Sequence, residues 1–195
     1  MTIVQELLRS AGIGFAAAEE HPDAHVECAR MARLLRERAS RAVGLVPAGD
    51  DVAVPSLAIA LGRALASREA AVGVLDAAAG WPCAEALRAR AVPYGTEVAT
   101  SWVVENLAVL TPRAADAGEL LSRLRGALVD KGAIFGHLVV DLTGFGPLGE
   151  HVGAYALMDA VALVARSGRT TTRQVERWLR DFPEGRSLGV LLTGV

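Results

Sequence analysis

Apolar and polar positions change rhythm along this chain, first at helical spacing and then in alternation between short apolar runs and helical stretches. Ile3, Val4, Leu7 and Leu8 face Gln5, Glu6 and Arg9, which predicts a short amphipathic helix stopped by Gly12 and Gly14. His21-Pro22-Asp23 is a turn that opens a second helix, Ala24 to Ser40, with Val26, Met31, Leu34 and Leu35 on its apolar stripe. Glu27, Arg30 and Arg33 share its polar face at i, i+3 spacing. From Arg41 onward short apolar runs alternate with helical patterns. Predicted strands are Ala42 to Val46, Ala71 to Leu75, Leu107 to Leu110, His137 to Asp141, Ala160 to Ala165 and Leu188 to Leu192. Predicted helices are Pro55 to Ala66, Ala84 to Arg90, Ala115 to Val129, Leu148 to Leu157 and Thr171 to Asp181. The strands are almost wholly apolar, as strands buried on both faces must be, so the reading is an α/β fold: a mostly parallel sheet with helices on both faces. Ala91 to Trp102, with Pro93, Gly95 and several Thr and Ser residues, reads as a surface loop.

Composition narrows the picture only slightly. The 195 residues suit one domain, 21–195, preceded by an amphipathic arm, 1–20, that either docks elsewhere or caps the domain. A formal net charge of -2 and dispersed Lys and Arg argue against nucleic acid. No run of about 18 apolar residues exists, and the start lacks a cleavable signal pattern, so the expected location is the cytoplasm. Cys28 and Cys83 lie far apart without metal-type spacing, and His21, His25, His137 and His151 form no ligand pattern. Trp178 reads as core, Trp81 and Trp102 as an exposed contact patch.

The organising stretch is Val43 to Pro82, an apolar run, a Gly/Asp turn, an Ala/Leu helix and a second apolar run ending in Asp76. Such a βαβ unit usually cradles a phosphate, yet this turn lacks the residues for it.

Taken in order, Glu27-x-x-Arg30-x-x-Arg33, Asn106-Leu107-Ala108-Val109-Leu110, Glu119-Leu120-Leu121, Leu138-Val139-Val140-Asp141 and Ser167-Gly168-Arg169-Thr170-Thr171 resemble the cytoplasmic domain of bacterial tyrosine kinases. These BY-kinases belong to the MinD/ParA branch of P-loop ATPases. The resemblance implies a P-loop NTPase-like three-layer sandwich serving capsular or extracellular polysaccharide synthesis and export with a membrane chain-length regulator. It also implies that the Glu27, Arg30, Arg33 helix packs protomers together, and that the chain forms a homo-oligomer or a hetero-oligomer with a BY-kinase or membrane polysaccharide co-polymerase, peripheral to the inner membrane.

The chain departs from that pattern at its chemistry. The glycine-x-glycine-lysine-Ser/Thr-Ser/Thr positions fall on Asp51, Val52, Ala53, Val54, Pro55 and Ser56, and only Ser56 is retained. Losing the lysine forfeits a charge-assisted contact of about 1.5 to 3 kcal/mol. A carboxylate such as Asp50 or Asp51 about 5 Å from a phosphate adds roughly 3 kcal/mol of repulsion at an effective dielectric near 20. A micromolar complex amounts to only about 8 kcal/mol. No useful ATP binding and no cofactor are therefore expected. Asp76 and Asp141 end parallel strands, where they read either as a relic magnesium position or as caps of neighbouring loops. Asp50 or Asp51 could also take the phosphate's place at the N-terminus of the following helix. Tyr94 and Tyr155 are the only tyrosines, so the family's tyrosine cluster is missing. The resulting expectation is a non-catalytic BY-kinase-like scaffold or regulator, with a divergent MinD/ParA-like ATPase in positioning or partition as the alternative.

Overall fold

The computed structural model describes residues 2–13, 22–66, 70–92, 98–112, 120–145 and 150–194. The opening amphipathic stretch forms α1 (Ile3–Ser10), whose Thr2 side chain accepts from the Gln5 N–H in a reciprocal capping box. After α2 (Pro22–Glu37) come β1 (Ala42–Pro47), α3 (Val54–Leu65), β2 (Val72–Asp76), α4 (Ala84–Ala89), β3 (Val98–Val104) and β4 (Leu107–Pro112). The chain continues through α5 (Leu120–Gly132), β5 (His137–Asp141), α6 (Glu150–Ala156), β6 (Ala160–Arg166), α7 (Thr172–Arg180) and β7 (Ser187–Thr193).

The seven strands form one sheet in the order β3-β4-β2-β5-β1-β6-β7. Every neighbouring pair is parallel except β3 with β4. All six predicted strands are present, and His137 to Asp141 keeps both of its predicted ends. Ala91 to Trp102 is corrected: instead of a surface loop, its second half enters β3, the antiparallel edge strand. Glu105 and Asn106 make the two-residue connection of a hairpin, and the buried Ser101 hydroxyl is satisfied by donating to the Leu87 carbonyl at 2.9 Å. The first part of the predicted helix Ala115 to Val129 lies outside the described residues, as does Glu119.

Helices cover both faces of the sheet, giving the three layers expected. On one face α1, α2, α3 and α4 close a core that includes Leu8, Met31, Leu35, Ile59, Leu65 and Leu87. On the other, α5, α6 and α7 enclose Leu124, Phe135, Leu138, Tyr155 and Phe182. Helix α3 lies close against the sheet at Gly62, where a Cβ would come within 2.7 Å of Val74 Cγ2. This close seat fixes where the loop before α3 emerges, at the carboxyl end of β1. Helix α1 rests on the sheet edge, with Leu8 fully buried and the Thr2 hydroxyl donating to the Val103 carbonyl at 3.1 Å. No helix among the described residues is long and apolar enough to cross a membrane.

Candidate functional site

Parallel sheets gather their functional groups at the carboxyl ends of the strands, here β1, β2 and β5. After β1 the chain turns through Ala48–Ala53, with Ala48 N–H bonded to the Val164 carbonyl at 2.8 Å and Val52 N–H to the Gly49 carbonyl at 3.3 Å. Helix α3 starts with Ala53 as an N-cap that offers no side-chain hydrogen bond, and with Pro55 in the first turn, where its missing N–H is tolerated. Val54, the position that the sequence resemblance assigns to a lysine, is fully buried in the first core. Ser56 is half-buried on the first turn, and Asp50 and Asp51 are exposed. The Asp51 carboxylate is directed at Arg166 Nη1 (3.5 Å) and Arg169 Nη1 (4.0 Å) instead of the helix N-terminus. These contacts tie the turn to the end of β6.

Asp76 and Asp141 are brought together by register, since β2 and β5 pair them directly. Both are buried, at 2% and 1% exposure. Asp76 Oδ1 accepts from the Gly80 N–H at 3.0 Å and its Oδ2 from the Trp81 N–H at 2.8 Å. Asp141 Oδ1 accepts from the Thr143 N–H, and its Oδ2 from the Trp81 indole N–H, each at 2.8 Å. One residue therefore holds both acids. Burial pushes the Asp76 carboxyl up to about 6; the Trp81 and Gly80 N–H groups oppose this, Asp141 adds to it and Arg88 reduces it. Burial also raises the Asp141 carboxyl against the hydrogen bonds from Thr143 and Trp81.

Trp81 corrects the expectation of an exposed patch, because only 4% of it is accessible. It is delivered by a tight turn in which Ala79 takes a positive φ of 54° and donates its N–H to the Asp76 carbonyl at 3.2 Å. Ala78 meets the loop after β5: a Cβ on Gly144 would lie 2.8 Å from the Ala78 Cβ. Trp102 is 39% exposed on the edge strand, its ring 5.8 Å from that of Phe135. Trp178 is half-buried and donates to the Ala48 carbonyl at 3.2 Å.

Glu27, Arg30 and Arg33 lie away from this cluster, on α2. Arg30 pairs with Glu27 at 2.8 Å and Arg33 with Glu37 at 3.7 Å, all within the helix and about half exposed or more. Beside the β1 turn a cavity of about 400 Å³ opens between the loop after β5 and α7, lined by Val46, Phe145, His151, Gln174, Arg177 and Trp178 among others. Sequence reasoning missed Trp81, the Arg166 and Arg169 contacts with Asp51, and this cavity. A single signal pointed to the first: a bulky aromatic five positions after a strand-ending acid, beyond Gly80.

The sequence matches no protein-family model and no curated protein. The fold is nevertheless that of solved P-loop NTPase-like kinase domains. The VpsO kinase domain superposes with a TM-score of 0.68 at 16% identity, over 93% of this chain and 98% of that one. The BceF tyrosine kinase domain gives 0.65 at 19% identity, over 88% and 76%. A ParA family ATPase from Chlorobium tepidum TLS gives 0.54 at 14%, over 78% and 73%. At these identities the likeness establishes a shared BY-kinase and ParA-like architecture.

Proposed function

We propose that this chain is a non-catalytic BY-kinase-like scaffold or regulator of bacterial capsular or extracellular polysaccharide synthesis and export, acting in the cytoplasm beside a membrane chain-length regulator. The observation that carries this reading is Trp81, which supplies hydrogen bonds to both acids that a magnesium nucleotide would need. The residues do not fit that ligand. A triphosphate requires a lysine, a nest of N–H groups and an oxygen ligand to the metal. Here the lysine position is a buried valine, Pro55 removes an N–H, and Asp51 places a negative charge on the turn.

The α2 stripe of Glu27, Arg30 and Arg33 is the contact we assign to self-association or to a BY-kinase or co-polymerase partner. Its support is the motif match and its outward position on the helix. A second reading, a divergent MinD/ParA-like ATPase, is favoured by the retention of Asp76 and Asp141 side by side. Calorimetric titration with ATP and magnesium separates the two. The scaffold predicts no saturable heat and no turnover; saturable binding with phosphate release would overturn it.

A further inference from the structure

We propose that the outer face of α7, with the cavity it borders, is a docking site for an acidic peptide segment of a partner protein that carries an apolar side chain. Although the chain is acidic overall, 166–186 holds six arginines against three acids, Glu176, Asp181 and Glu184. Helix α7 buries none of its residues. Its Arg173, Arg177 and Arg180 are exposed and stand at i, i+4 and i+7, so they form one stripe with neighbours about 5 to 6 Å apart.

Among the described residues Arg173 and Arg177 enter no ion pair, and Arg180 donates only to the Glu176 carbonyl, at 3.3 Å. No acid occupies the first turn, so the positive end of the helix dipole adds to the same sign. A row of like charges left unneutralised by the chain's own acids is complementary to an external anion.

The same edge of the helix also opens on apolar space. Gln174, Arg177 and Trp178 line the cavity of about 400 Å³, with Val46, Leu142 and Phe145 among its other walls. This is within the usual size of about 300 to 1,000 Å³ for ligand pockets. Asp50 and Asp181 line it too, the latter 3.5 Å from His151. Those two acids disfavour a nucleic-acid backbone or an anionic bilayer laid across the whole face. A peptide avoids them by setting its carboxylates along the arginines and inserting an uncharged side chain between the acids. This assignment stands independently of the nucleotide reading.

The test is fluorescence anisotropy with a labelled glutamate-rich peptide bearing one central phenylalanine. Binding is expected to saturate, to weaken about tenfold or more in the Arg173→Ala, Arg177→Ala, Arg180→Ala variant, and to weaken when the phenylalanine is replaced by serine. An Arg38→Ala, Arg41→Ala, Arg90→Ala variant, equal in charge but altered elsewhere, is expected to bind like the parent. No saturation up to about 1 mM, equal losses in both variants, indifference to the phenylalanine, or tighter binding of anionic vesicles or single-stranded DNA would each overturn the proposal.

Discussion

Trp81 satisfies two buried acids on neighbouring strands, Asp76 through its backbone N–H and Asp141 through its indole N–H. Trp81→Phe keeps the ring and the backbone donor to Asp76 but removes the indole N–H. Asp141 Oδ2 then loses its donor while staying buried, so thermal or denaturant unfolding should show a loss of about 1 to 3 kcal/mol. Asp76 makes a second prediction, with a sign set by its raised carboxyl. The folded protein holds that proton up to about pH 6, against 3.8 for the ordinary carboxyl, so between those values the unfolded state binds fewer protons. The contribution of Asp76 is fully present below about pH 4 and is lost as pH rises through 6. Asp76→Asn should flatten that part of the stability profile, as read by unfolding at a series of pH values; an unchanged slope would remove Asp76 as its source.

At the scale of elements, the α2 stripe tests whether an outward charged helix is an interface or a solvated face. Its pairs are exposed and lie within one helix, so replacing Glu27, Arg30 and Arg33 by alanine should cost only a few tenths of a kcal/mol per pair. Loss of self-association or partner binding, measured as mass in solution with the melting temperature nearly unchanged, is the expected result. The same scale shows what could be read in advance. Strands buried on both faces announce themselves as apolar runs, and five of the six predicted here differ from the observed ones by only one or two residues at an end. Strand β3 was hidden because Thr100 and Ser101 look like loop residues until the Leu87 carbonyl and the partner strand are in place to receive them. Asp76 and Asp141 were legible as acids closing apolar runs. Their tryptophan was not, because the indole contact joins positions 60 apart in the chain.

Across the whole molecule, six of the seven strands, two helical layers and a loop at the carboxyl end of β1 follow from pattern alone, because each needs only local apolar periodicity and a connection. The site needs contacts between loops that only the folded chain brings together: Asp51 with the end of β6, Ala78 with Gly144, Trp81 with Asp141. Architecture was therefore readable to a depth that its chemistry was not. The indole clamp also bears on which substitutions the chain tolerates. A substitution of Trp81 that clears room for a metal removes the donor to Asp141 Oδ2, before any cation is present to replace it. Any change that opens this pair of acids is then a step into a weaker protein, so the clamp works as a ratchet that keeps the pair closed.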